Sequence, residues 1–264
     1  MTTYLDKLLT DKREQLASLR GTRASVMTER ELTDLGVRLP PPKDFIGALR
    51  EHPKPAIIAE FKRASPSAGM IREGADPRAI ASEYAAAGAR CMSVLCDRNF
   101  RGALEDLRTV RQSVSLPLLC KDFILERWQI LEAKRHGADA VLLIVAALEP
   151  PHLRRLLKFA QSIGMQVLCE AHDVREVNRA MAAGARLVGV NARDLKTFEI
   201  DLDRVIRLRR EVPKGFTFVA ESGIASLEDA ARMRDAGVDA LLIGTYLMKA
   251  ERPGETLREL VLGL

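Results

Sequence analysis

The 264 residues are 47% apolar and 29% charged, with 17 Gly and 12 Pro. That balance excludes a disordered or low-complexity chain and supplies a real core. The longest apolar run, Ala140 to Leu148, is too short to cross a bilayer, and the opening MTTYLDKLLTDKREQ lacks a secretory signal, so a cytoplasmic protein with no membrane partner is expected. The net charge of +5 is spread over charge-mixed helical stretches such as 204–210 and 232–234, with only eight Phe, three Tyr and one Trp available for stacking. Solvated helix faces are therefore expected, with no nucleic-acid partner.

In chain order, the first 50 residues read as an extension. Leu5, Leu8, Leu9, Leu16 and Leu19 give it an amphipathic helix, and Pro40-Pro41-Pro42 ends its irregular part. Its apolar face needs cover, so it is expected to cap the domain formed by the rest of the chain. Short apolar runs then alternate with longer amphipathic ones. Strands are expected at 56–61, 91–95, 116–121, 140–144, 166–170, 187–191, 217–221 and 240–243, several apolar nearly throughout, as in parallel strands buried on both faces. The intervening segments carry helical spacing: Leu153, Leu156, Leu157, Ala160 and Ile163 share one face, as do Val174, Val177, Ala180 and Met181. Asp76 before Pro77, the pair Pro150-Pro151, and Ser226 with Asp229 mark helix starts. Gly88, Gly137, Gly184 and Gly237 each end a helix just before a strand.

Eight such units predict the α/β class, a (β/α)8 TIM barrel with an N-terminal helical extension. Residues 1–264 are expected to form one barrel domain, of which 1–50 are the cap. An open doubly wound sheet is disfavoured, because neither G-x-G-x-x-G nor G-x-x-x-x-G-K-[ST] occurs. Cys91, Cys96, Cys120 and Cys169 form no C-x-x-C pair and lie in or beside apolar runs, so they read as small hydrophobes.

In a barrel of this kind the chemistry sits at the C-terminal ends of the strands. Here those ends are unusually polar. The first strand ends in Glu60 and Lys62, two apart and so on one side; the third ends in Lys121, the fifth in Glu170, the sixth in Asn191 with Arg193 following, and the seventh in Glu221-Ser222-Gly223. Any one of these could be a solvated strand-end charge. Together, three carboxylates and two ammonium groups at one level can satisfy one another and push catalytic pKa values apart. Gly223 and Gly244 follow the last two strands, where backbone N–H groups commonly hold a phosphate; they are equally compatible with ordinary turns. A metal clamp by the glutamates is disfavoured by the interspersed lysines.

At these residues the chain resembles a family. The runs 59–67 (AEFKRASPS), 121–123 (KDF), 168–170 (LCE), 189–195 (GVNARDL) and 220–224 (AESGI) are similar to those of indole-3-glycerol-phosphate synthase, with the likeness extending over essentially the whole chain. The resemblance implies a carboxy-lyase of tryptophan biosynthesis that closes, decarboxylates and dehydrates 1-(2-carboxyphenylamino)-1-deoxyribulose 5-phosphate with no metal and no organic cofactor. It implies Lys121 as general acid and Glu170 in proton transfer. Lys62 would hold an anionic group, Glu60 would tune a lysine, and Asn191, Glu221 and Ser222 would orient the substrate, with Arg193 near its anions. Ser65, Phe100, Phe123, Leu142, Leu195 and Leu242 are expected to contact the substrate, the apolar ones walling its ring. Lys62, Gly223, Gly244 and Thr245 are expected at the phosphate. The loop 63–75 is expected to act as a lid. The partner is then one small phosphorylated molecule, and the protein a monomer or weak homodimer. Two positions depart from the family pattern, Cys120 where Arg is common and Thr245 where Ser is frequent. A sugar-phosphate isomerase on the same barrel would want a Cys/Asp pair at the strand ends, and a barrel that had lost activity should lack one of Glu60, Lys62, Lys121 or Glu170.

Overall fold

The computed structural model describes residues 3–19, 21–22, 24–51, 55–65, 68–194 and 197–264. In chain order its helices and strands are α1 (Tyr4–Ser18), α2 (Glu29–Arg38), α3 (Phe45–Arg50), β1 (Ala56–Phe61), β2 (Ala64–Ser65), β3 (Gly69–Met70), α4 (Pro77–Ala87), β4 (Cys91–Leu95), α5 (Leu104–Ser113), β5 (Leu118–Lys121), α6 (Arg127–Arg135), β6 (Ala140–Ile144), α7 (Pro150–Ser162), β7 (Gln166–Ala171), α8 (Val174–Ala183), β8 (Leu187–Asn191), α9 (Leu202–Glu211), β9 (Thr217–Glu221), α10 (Leu227–Asp235), β10 (Ala240–Ile243), α11 (Thr245–Lys249) and α12 (Pro253–Gly263). Eight parallel strands close in the order β1-β10-β9-β8-β7-β6-β5-β4, with β1 pairing both β10 and β4, so the barrel has no free edge. The fold is the (β/α)8 barrel. No helix among the described residues is long and apolar enough to cross a membrane.

The barrel forms because its strands are apolar on both faces. Ile58, Met92, Leu119, Leu143, Leu168 and Phe218 are wholly buried. The four glycines expected to stop helices all adopt positive φ, between 75° and 101°, which a Cβ would strain. At two of them an aspartate two residues on ties adjacent strands together. Asp139 accepts from the Leu118 N–H at 2.7 Å, and Asp239 repeats this with Phe218 at 2.9 Å.

Three expectations shift. The third barrel strand starts at Leu118 rather than Leu116, since Pro117 has no N–H to give the ladder. Leu19 lies past the end of α1 and is 42% exposed, and Val174 in the first turn of α8 is 39% exposed, so neither joins the buried face its spacing suggested. The four cysteines are free and buried.

The extension covers both ends of the barrel. Helix α3 seats Phe45 and Leu49, both wholly buried, at the N-terminal end, where its Arg50 donates to the Thr217 hydroxyl at 2.8 Å. Helix α1 lies over the C-terminal end and buries Leu8, Leu9 and Lys12. Lys12 is an ammonium inside an apolar stripe. It sits 3.2 Å from Asp97 and also pairs with Asp122, carboxylates from the loops after β4 and β5. Losing it leaves two buried like charges without their cation, which typically costs about 3–5 kcal/mol. Lys12→Met is accordingly expected to lower the melting temperature and to speed hydrogen exchange across 4–18, while the exposed Lys7→Met changes neither.

Candidate active site

The C-terminal ends of the strands open into a cavity of about 380 Å³. Its floor is a chain of alternating charges. Lys62 Nζ lies 2.8 Å from Glu60 Oε1; Glu60 Oε2 lies 3.2 Å from Lys121 Nζ; and Lys121 Nζ reaches across the barrel to Glu221 Oε2 at 3.1 Å. Alternation along β1 puts Glu60 and Lys62 on the same side, as their spacing required.

Space for this chain is made by two glycines. A Cβ on Gly189 would stand 2.1 Å from Glu221 Oε1, and one on Gly244 would stand 2.2 Å from Glu60 Oε1. Gly244 therefore admits a carboxylate, whatever its backbone does for a ligand. The same imagined Cβ lies 3.0 Å from Lys62 Nζ, so the ammonium sits directly beside the Gly244 backbone.

Burial acts on each member differently. It disfavours the Lys121 charge, but Glu60, Glu221 and Glu170 override it and hold the ammonium well above the usual lysine range. Burial raises Glu60 too, and Lys121 with Lys62 reverse this, leaving its pKa at about 2. Glu221 has only one lysine against complete burial and two neighbouring glutamates, and its carboxyl is pushed up to about 8.

Beside this chain, Glu170 ends β7 facing Asn191 on β8. Asn191 donates from Nδ2 to Glu170 Oε1 at 3.2 Å, and its Oδ1 accepts from the Arg193 N–H at 3.0 Å. The end of β8 is bolted by Arg204 of α9, whose Nη2 donates to the carbonyls of Asn191 and Ala192, each at 2.9 Å. Arg193 donates to the Phe198 carbonyl at 3.1 Å, and no carboxylate among the described residues pairs with it. Ser222 and Gly223 follow β9 with φ of 64° and 81°. A left-handed serine is strained backbone of the kind that collects at functional sites.

Of the residues singled out from sequence, Glu60, Lys62, Ser65, Phe100, Lys121, Phe123, Leu142, Glu170, Asn191, Arg193, Ser222, Gly223, Leu242, Gly244 and Thr245 all line the cavity. Phe100 and Phe123 face each other with ring centroids 6.4 Å apart. Glu221 is wholly buried and meets Lys121. Leu195 lies outside the described residues, as do Pro66 and Ser67 of the expected lid. Within that loop β2 and β3 pair antiparallel, and the loop is tethered by Arg63 to Asp106 and by Arg72 to the Met248 carbonyl. Cys120 is buried, and lines a second small cavity between the barrel and α1.

Sequence reasoning missed the contribution of the cap. Tyr4, Leu5 and Leu8 of α1 wall the cavity, and the Tyr4 ring meets Phe198 edge-on at 4.9 Å. It also missed Asp97, Asp122 and the rim lysine Lys249.

The family model for indole-3-glycerol phosphate synthase matches residues 5–260. The chain belongs to this family. The family's proteins from Acidithiobacillus ferrooxidans and Koribacter versatilis, each named indole-3-glycerol phosphate synthase, are 43% and 45% identical to it over 264 residues, covering 98% and 99% of this chain and 99% and 100% of theirs. Solved structures of other barrels share the fold alone. Examples are 3-hexulose-6-phosphate synthase from Salmonella typhimurium (TM-score 0.65, 14% identity, 79% of this chain and 98% of that one) and thiamine phosphate pyrophosphorylase from Pyrococcus furiosus (TM-score 0.60, 17% identity, 79% and 94%).

The lowered Glu60 value has a direct consequence for stability. Its folded pKa of about 2 lies below the ordinary 4.5, so the carboxylate stabilises the fold above pH 4.5 and that contribution is lost as pH falls toward 2. The full effect is about 3 kcal/mol. Between pH 6 and pH 3, the stability advantage of the wild type over Glu60→Gln is expected to shrink by about 2 kcal/mol in denaturant titrations.

Proposed function

We propose that the protein is an indole-3-glycerol-phosphate synthase of tryptophan biosynthesis, a carboxy-lyase acting on 1-(2-carboxyphenylamino)-1-deoxyribulose 5-phosphate. The observation that carries this reading is the Lys121 ammonium, held between Glu60 and Glu221 at 3.2 and 3.1 Å on the floor of a largely apolar cavity.

Ring closure joins the carboxylate-bearing aryl carbon to the ribulose carbonyl carbon and drives an electron pair onto the carbonyl oxygen. Lys121 meets that oxygen as a fixed positive charge and gives it a proton. Its raised proton affinity suits this step, because the acceptor is a strongly basic alkoxide and the ammonium must stay charged until it forms. Loss of CO2 returns electrons to the ring. Dehydration then requires a base for a ring proton and an acid for the leaving hydroxyl. Glu170, which accepts a hydrogen bond from Asn191, takes the proton-transfer role.

The anionic ends of the substrate find their partners on either side. Lys62 beside Gly244, with Thr245 and Gly223, forms the phosphate end, Ser222 orients the substrate, and Arg193 adds a cation that no carboxylate among the described residues pairs with. Phe100, Phe123, Leu142 and Leu242 receive the aromatic ring. Glu60 and Glu221 position Lys121 from below. All of these side chains come from one barrel unit spanning the chain, capped by residues 1–50, so the site is complete in a monomer or a weak homodimer. The proposed compartment is the cytoplasm.

Mixing the protein with the carboxyphenylamino-deoxyribulose phosphate, with no metal added, is expected to produce indole fluorescence. Lys121→Ala is expected to lower kcat by about 1000-fold or more with an unaltered circular dichroism spectrum. Folded wild-type protein that gives no product would overturn the assignment, and near-normal kcat in Lys121→Ala would remove that lysine from the acid role.

A further inference from the structure

His172 follows β7 two residues after Glu170 and does not reach the cavity, yet it is locked between two carboxylates. Its Nδ1 lies 3.1 Å from Glu176 Oε2, and its Nε2 lies 3.5 Å from Glu170 Oε1. Glu176 is itself fixed. Its Oε2 also accepts the His172 backbone N–H at 2.8 Å, and its own N–H is capped by Asp173 at 2.8 Å. The ring is mostly buried, and Nε2 makes no hydrogen bond to any described residue. Glu170 Oε1 thus meets Asn191 on one side and His172 on the other, while Oε2 is engaged by neither.

We propose that His172 is a positioning residue for Glu170: bridged to Glu176, it fixes the Glu170 rotamer and sets an imidazole beside the carboxylate that moves protons. This deepens the ring-closing reading and depends on it. The titratable groups facing the imidazole are the carboxyls of Glu170 near the end of β7, Glu176 on α8 and Glu221 on β9, the last of which holds its proton up to about 8. Burial lowers the proton affinity of the ring, but hydrogen bonding to Glu176 and the nearby carboxylates outweigh it, so the imidazole holds its proton above the ordinary range. An imidazole serving only to cap α8 would need Glu176 and no second carboxylate.

The test has two arms. The first needs no substrate. The His172 ring is followed by NMR titration in the wild type and in Glu170→Gln. The ring is expected to titrate above 6.5 in the wild type and lower in the variant. The second arm compares His172→Ala with His172→Asn, which keeps the backbone N–H and a side-chain donor but carries no charge. The alanine variant is expected to lose about tenfold or more in kcat with KM within about threefold, and the acid limb of its kcat profile should move to higher pH. The asparagine variant should recover part of kcat while leaving the limb displaced. The proposal is overturned if the ring titration ignores Glu170→Gln. It is equally overturned if kcat and its pH profile are unchanged in both variants, or if kcat and KM shift together with a fall in melting temperature and an unmoved profile. Absence of product from the wild type would sink the ring-closing reading instead, with the titration arm still deciding whether His172 and Glu170 are coupled.

Discussion

The Lys121 ammonium stands inside a barrel whose strands are mostly apolar, and much of the architecture of the site follows from keeping it charged there. An unpaired charge in such a place costs several kcal/mol and would shed its proton instead. Glu60 on β1 and Glu221 on β9, two strands apart around the barrel, prevent this. Their carboxylates need room, which Gly244 and Gly189 provide by having no side chain. Glu60 holds Lys62 with its other oxygen, so the acid and the proposed phosphate cation are fixed by one carboxylate. Charge, register and glycine placement are therefore a single arrangement.

A second buried lysine repeats the scheme for a different purpose. Lys12 is bracketed by Asp97 and Asp122 as Lys121 is by Glu60 and Glu221. The first pins the cap and the second faces the cavity. With α1 docked, Leu5, Leu8 and Tyr4 turn an open barrel mouth into a partly enclosed apolar site, and removing water strengthens every charge beneath it. Burial pushes the Asp122 carboxyl up to about 6, against the pull of Lys12, so the latch itself carries a proton more readily than an exposed aspartate would.

Most of the barrel is legible in the sequence because its signals are local. Apolar runs bounded by helix-stopping glycines define strands, and alternation alone places Glu60 and Lys62 on one side. Features set by distant residues are not legible. Lys12 meets partners 85 and 110 positions away, and the Tyr4–Phe198 contact joins the first helix to a loop near the far end of the chain. A hint is present, since a lysine within the stripe of Leu5, Leu8, Leu9 and Leu16 demands a buried partner. His172 can likewise be found by its spacing, two residues past Glu170. Glu221 shows the limit of the strand-end rule. Alternation turns it inward, but only the barrel geometry sets it against Lys121.

If the ionic floor exists for chemistry, the fold should do without it. Replacing a buried charged cluster by apolar residues of similar volume is often neutral or stabilising, whereas removing one partner is costly. The decisive measurement is the thermal unfolding of Glu60→Leu/Lys62→Met/Lys121→Met/Glu221→Leu, which removes every member of the chain of charges, beside Lys121→Met alone. The quadruple variant is expected to melt at or above the wild type while making no product, with the single variant melting lower. A quadruple variant that melts well below the single one would show that these charges hold the barrel together, and would contradict a floor kept for chemistry.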